Sequence, residues 1–275
     1  MRLRLLILLI SLSSYYANGQ LGSFQFFNAS SVALGNQKAV LPNEAALLAN
    51  FAQLAGQNGL MIELSTNQRF NLSELAQFNA AIGSNISQFG YMGLQMSSYG
   101  FDEFQESQIN LSYARALNKK INLGLSFGHY RLNLAENGST SLWTYKINMF
   151  FKLNEKLHLG ILLENPENKA IHEFTRVNSA LAVGMSYKVS DKTEIYSELS
   201  KALEQKLDYK LGLRYQIHNS WGLLSGYSIT QRTIGFGNTL NLSPGLKIGI
   251  SANYHHTLGL WPSISISYSN SQMSN

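Results

Sequence analysis

The sequence predicts an all-β fold, a transmembrane antiparallel β-barrel of about fourteen strands preceded by a short N-terminal plug that contains a helix. Three observations predict it. From Asn58 to the C-terminus apolar and polar residues alternate with period two, the signature of strands with one apolar face. Many of these strands run ten to fourteen residues, well beyond the five or six of an average soluble strand. The connections alternate as well, one set tight and the other containing the longest links, as in an even-numbered barrel with both termini in the periplasm. A soluble β-sandwich also alternates. Strand length, connection asymmetry and low charge together favour the membrane barrel.

The chain has 275 residues, of which only 13% are charged, about half the share of a soluble globular protein. Fourteen Tyr, fourteen Phe and 22 Gly take up much of the difference. There is no cysteine, which excludes disulfides and thiolate chemistry. At the N-terminus, basic Arg2 and Arg4, apolar Leu5 to Leu12 and small-x-small Ala17-Asn18-Gly19 form a secretory signal peptide over residues 1–19. Its removal takes two arginines and leaves 19 basic against 16 acidic residues, so nucleic-acid binding is not supported. No later run of eighteen apolar residues exists to span a bilayer as a helix.

Residues 20–57 form the expected plug. Asn28 to Leu41 is small and mixed. Pro42 then opens N-E-A-A-L-L-A-N-F-A-Q-L-A, a helix pattern with proline near its start, and Gly56 ends it. Residues 58–275 are the barrel. Strands are expected near 58–66, 75–84, 87–99, 105–117, 120–133, 141–153, 156–165, 177–189, 192–202, 206–217, 220–230, 234–242, 245–256 and 262–269. The hairpin 206–230 is the clearest. Tyr209, Leu211, Leu213, Tyr215 and Ile217 alternate with Asp208, Lys210, Gly212, Arg214 and Gln216, and His218-Asn219 turns the chain. In the fifth strand the apolar parity slips between Phe127 and Tyr130, which predicts a bulge or an inward tyrosine. Tight turns fall at Asn118-Lys119, Asn154-Glu155, Ser190-Asp191 and His218-Asn219. The longest links run from Asn67 to Glu74, Leu134 to Thr140 and Asn165 to Arg176.

In a barrel the apolar parity faces lipid and the polar parity faces the lumen. Lumen-facing charges are then Glu63, Lys146, Lys152, Lys188, Glu194, Glu198, Asp208, Lys210, Arg214 and Lys247, with both signs available to pair across the interior. Trp143, Tyr187, Trp221, Tyr254, Trp261 and Tyr268 are expected at the membrane interfaces. No catalytic constellation is present: there is no G-x-S-x-G, no H-E-x-x-H, and Gly235-Phe236-Gly237 is not a phosphate loop. Adjacent His255 and His256 point to opposite faces of a strand and cannot share a metal. The expectation is a non-enzymatic chain without cofactor or metal.

Three stretches resemble a known family. Ser31-Val32-Ala33-Leu34-Gly35 followed by Asn50-Phe51-Ala52-Gln53-Leu54-Ala55 is similar to the N-terminal segment of the FadL-like superfamily of fourteen-stranded outer-membrane barrels, and more closely to PorV/PorQ-type proteins of the Bacteroidota. Glu198 to Lys201 with Tyr209 to Tyr215, and Tyr254 to Gly259 with Ile264 to Tyr268, resemble later hairpins of that family. Phe51 replaces a family proline, and Leu34-Gly35-Asn36-Gln37 replaces a longer glycine-rich run. The resemblance implies that Leu34, Gly35, Asn50, Phe51, Ala52 and Leu54 belong to a segment plugging the lumen. It implies two candidate functions. The first is a scaffold or adaptor linked to type IX secretion or surface attachment, with secretion-system proteins or secreted cargo as partners. The alternative is transport of hydrophobic small molecules across the Gram-negative outer membrane. A soluble secreted β-rich binding protein is a third reading, carried by the alternation alone.

Overall fold

The computed structural model describes residues 26–69, 72–136, 138–167, 170–172, 175–177, 179–203 and 205–270. The expected signal peptide lies outside them, as do residues 20–25 of the expected plug. Fourteen strands close into a barrel in which each pairs antiparallel with its sequence neighbour. They begin with β1 (Leu60–Gln68), β2 (Ala76–Asn85), β3 (Tyr91–Phe101), β4 (Phe104–Ala116), β5 (Ile121–Leu134), β6 (Gly138–Lys152) and β7 (Leu157–Glu164). A small hairpin, β8 (Ala170–His172) with β9 (Thr175–Arg176), interrupts the order on the longest link. The barrel resumes with β10 (Ala180–Lys188), β11 (Thr193–Ala202), β12 (Asp208–His218), β13 (Trp221–Ser228), β14 (Thr233–Ser243), β15 (Leu246–His255) and β16 (Gly259–Ser269). β7 pairs directly with β10, and β16 returns to β1 through Met61–Ser269 to Asn67–Ser263, so the ladder has no open edge.

Closure gives the alternation its meaning. Along β13, Trp221, Leu223 and Tyr227 are exposed, whereas Leu224 and Ser228 are buried. The outer wall is a belt of Leu, Ile, Phe, Met and Tyr around the whole circumference, as contact with hydrocarbon requires. The inner wall is mostly Ser, Thr, Asn, Gln and charged residues, as at Ser65, Asn79, Gln95, Ser112 and Asn253. In β5 the parity never breaks. Asn122, Ser126, Tyr130 and Leu132 are buried and no register shift occurs, so the slip is an inward tyrosine rather than a bulge. Bulges fall instead at Gln216/His218 and Asn241/Ser243.

The tight turns and the two ends of the barrel chain share one rim, called the inner rim here. The longer connections, including 165–179, share the outer rim. Residues 26–57 lie inside. Their first element is α1 (Ala29–Ala33), capped by Asn28, whose Oδ1 accepts from the Ser31 N–H at 2.7 Å. The helix expected from Asn43 to Ala55 is absent. Two 3₁₀ turns, Asn43–Leu48 and Phe51–Leu54, stand in its place. The cause is Asn50, which caps the second turn and drives its amide between Ala39 O at 2.8 Å and Met149 O at 3.0 Å. The bend lets the first turn lean on β1 to β3 and the second on β4 to β6, which one straight helix could not do.

Candidate functional site

The plug reaches its seat because inward positions of the wall carry no side chain. A Cβ on Gly226 would lie 2.2 Å from the Leu34 carbonyl carbon, and one on Gly160 would lie 2.0 Å from Ala39 O. One on Gly124 would meet Ala52 N at 2.9 Å, and one on Gly93 would meet the Phe51 ring at 2.9 Å. Backbone therefore touches backbone on several sides of the lumen. Leu34, Asn50, Phe51, Ala52 and Leu54 are fully buried there, and Gly35 (φ 79°) turns the chain against Tyr227. The Gln95 amide donates to Leu47 O and the Asn122 amide to Ala52 O at 3.0 Å, so wall side chains satisfy backbone groups that the short turns leave open.

The inward charges pair with one another and with the plug. Glu198 Oε2 accepts from the backbone N–H groups of Lys38 and Ala39 at 2.6 and 2.8 Å, and its Oε1 accepts from Lys210 Nζ at 2.8 Å. Lys210 also donates to Asn36 O at 2.8 Å. Glu164 joins Lys146 at 2.9 Å and Lys38 of the plug. Glu44 of the plug bridges Arg214 at 3.4 Å and Lys247 at 3.2 Å. Burial alone would push the Glu44 carboxyl up, but these two cations hold it down at about 2. Glu63 accepts from Asn28 Nδ2 at 2.8 Å. Asp208 accepts from Ser228 and from the Thr230 N–H, and Glu194 from the Tyr196 hydroxyl at 2.5 Å. Lys38 of the plug is the partner that strand parity could not supply, whereas Glu164 stands on the inward parity of β7. Lys152 and Lys188 are corrections, because they lie at the inner rim, exposed to solvent, and not in the lumen.

Toward the outer rim the inner wall changes character. Tyr130 (1% exposed) and Leu132 (2%) pack with Val177 of the long link, and Tyr99, Phe104, Leu134 and Leu142 join them. All six wall residues stand on the inward parity of β3 to β6, where Ser97, Gln108, Ser126 and Thr144 occupy deeper positions. Beside this cluster opens a cavity of about 390 Å³ lined by Phe27, Lys38, Arg69, Asp208, Lys210, His255 and Trp261. Trp261 is a second correction. It shares the parity of buried Ser263 and Ser265 and faces the cavity, not the membrane interface. Arg69 stands over the rings of Phe27 and Tyr99, 5.9 and 5.3 Å from their centroids. A second cavity, of about 340 Å³, opens at the inner rim beside Asn43, Glu44, Met61, Lys247 and Tyr268. The plug lies between the two. Among the described residues no group of three metal-ligating side chains occurs.

No protein-family model and no curated protein matches the sequence. Solved structures do match. The CymD monoaromatic hydrocarbon channel superposes with a TM-score of 0.67 at 13% identity, over 89% of this chain and 98% of that one. The toluene transporter TodX of Pseudomonas putida gives 0.67 at 11% identity, over 91% and 99%. A FadL homologue of Pseudomonas aeruginosa gives 0.65 at 9% identity, over 88% and 98%. At such identities the likeness speaks for fold. Together with the closed ladder it shows the fold, a fourteen-stranded antiparallel β-barrel similar to those of the hydrocarbon channels and the FadL homologue.

Proposed function

We propose that this chain is an outer-membrane channel that admits hydrophobic small molecules and carries out no covalent chemistry. The observation that carries the reading is the apolar cluster at the outer mouth. Tyr99, Phe104, Tyr130, Leu132, Leu134 and Leu142 are turned into the lumen away from the plug, whereas inward Tyr91, Phe150, Leu162, Tyr196 and Leu224 pack against the plug. Apolar side chains on the wet face of a barrel gain nothing from lipid. They pack with Val177 of the long link, and a hydrophobic solute leaving water that reaches them finds apolar partners there. The fold likeness to a toluene transporter and a monoaromatic hydrocarbon channel supports the same reading. The adaptor reading linked to type IX secretion rests on the sequence resemblance alone. The residues that carry it in the N-terminal segment, Leu34, Asn50 and Ala52, are buried in plug contacts and present no docking surface.

The test is uptake of labelled toluene by cells expressing the protein, against cells carrying an empty vector. Expression is expected to raise uptake. Replacing Leu132 and Val177 together by Asn is expected to lower it by on the order of a hundredfold, since each loses the transfer energy of a buried aliphatic side chain. Uptake equal to the empty vector, with folded barrel in the outer membrane, overturns the reading.

A further inference from the structure

Three neighbouring turns at the inner rim repeat one another. They read Leu117-Asn118-Lys119-Lys120, Leu153-Asn154-Glu155-Lys156 and Val189-Ser190-Asp191-Lys192, at equal intervals along the sequence. Their hydrogen bonds repeat too. Leu117, Leu153 and Val189 donate to the carbonyls of Ile121, Leu157 and Thr193 at 2.8, 3.1 and 2.9 Å. The Asn118, Asn154 and Ser190 side chains accept from the N–H of Lys120, Lys156 and Lys192. Each turn therefore closes with the same hydrogen bonds and carries its last lysine at the same position of the turn.

The lysines also adjoin around the rim. Lys152 N donates to Lys120 O and Lys188 N to Lys156 O, both at 2.8 Å, so the row passes from strand to strand across β5, β6, β7 and β10. All five of these lysines are exposed. Among the described residues of these turns the exposed acids are Glu155 and Asp191, and Asp191 is already held by Lys188 at 2.9 Å. The row is thus a standing excess of positive charge.

Two features say what it meets. Leu117, Leu153 and Val189 are 58%, 47% and 48% exposed at the same place in each turn, an apolar rung directly above the cationic one. Arg115 lies on the outward parity of β4, close to the rim, where the membrane's head-group layer is the polar medium within its reach. Apolar side chains at the acyl boundary with cations one step below fit a phospholipid monolayer edge. We infer that the inner rim from β4 to β11 is a docking site for anionic phospholipid head groups of the inner leaflet, with Lys120, Lys156 and Lys192 binding the phosphates. The inference rests on the membrane-barrel fold and is independent of what the channel admits.

The test is native mass spectrometry of the full chain released from micelles containing equal phosphatidylglycerol and phosphatidylethanolamine. The wild type is expected to retain phosphatidylglycerol preferentially. The triple variant K120Q/K156Q/K192Q is expected to lose that preference by roughly fivefold per lysine, and the triple Lys→Arg variant to keep it. Heat-dependent gel migration confirms folding, and the three single Gln variants give the per-lysine loss should the triple variant not fold. A wild type that retains both lipids equally overturns the inference. So does a triple Gln variant with unchanged preference, which would assign the row to another partner such as an acidic periplasmic protein.

Discussion

Single carboxylates fix the plug, and they do so in different ways. Glu198 holds two backbone N–H groups of the plug and one wall lysine. Glu198→Ala would leave Lys210 buried without its counter-charge, an outcome that costs about 3–5 kcal/mol in buried pairs. Thermal unfolding in detergent is expected to show the loss, and Lys210→Met combined with it should restore part. Glu44 makes a pH prediction with a definite sign. Its carboxyl titrates near 4.5 when unfolded and at about 2 in the folded protein. The stabilisation it contributes is therefore complete above pH about 4.5 and is lost as pH falls through about 2. Protease digestion of the plug, compared between wild type and Glu44→Gln, should differ above that window and converge below it.

At the scale of elements, strands were legible from sequence and the plug's internal structure was not. A strand's two faces meet different media, so parity alone located all fourteen to within a few residues. The same parity displayed the inward Tyr130, because the residue type and the face disagreed. The plug has no such medium to read. Asn43 to Ala55 has the composition of a helix, but it folds as two 3₁₀ turns because Asn50 finds acceptors on β6 and on residue 39, distant in sequence. The five-residue α1 was too short to announce itself, and Trp261 sits at a strand end, where parity is least certain. The ion partner Lys38 also came from tertiary contact, whereas Glu164 could have been read from the inward parity of β7. The seat itself is testable at this scale. Gly226→Val would place side-chain atoms where the Leu34 backbone runs, so the plug must shift. Planar-bilayer recordings are expected to show larger currents from this variant than from wild type.

For the whole molecule, the barrel and plug form one interior. The wall supplies Arg214 and Lys247, and the plug supplies the Glu44 that neutralises both. Deleting residues 26–56 is expected to leave these cations without Glu44 and Glu164 without Lys38, lower the melting temperature and open a water-filled pore, which planar-bilayer conductance reads. A plugless barrel that melts as the wild type does and passes no current would show that the wall closes without its filling.

The seating of α1 has a consequence for assembly. This helix lies near the start of the chain, yet it rests on β13 to β16, the last strands to be made. The 3₁₀ turns rest on β1 to β6, the first. Each half of the wall therefore seats only one half of the plug, and the whole seat exists only when β16 pairs with β1. The final rung pairing β16 with β1 is among the longest-range contacts in the chain, and such contacts form slowly. Closing the wall and completing the plug's seat are therefore linked, and in refolding the protease protection of the plug is expected to rise together with heat-dependent gel migration.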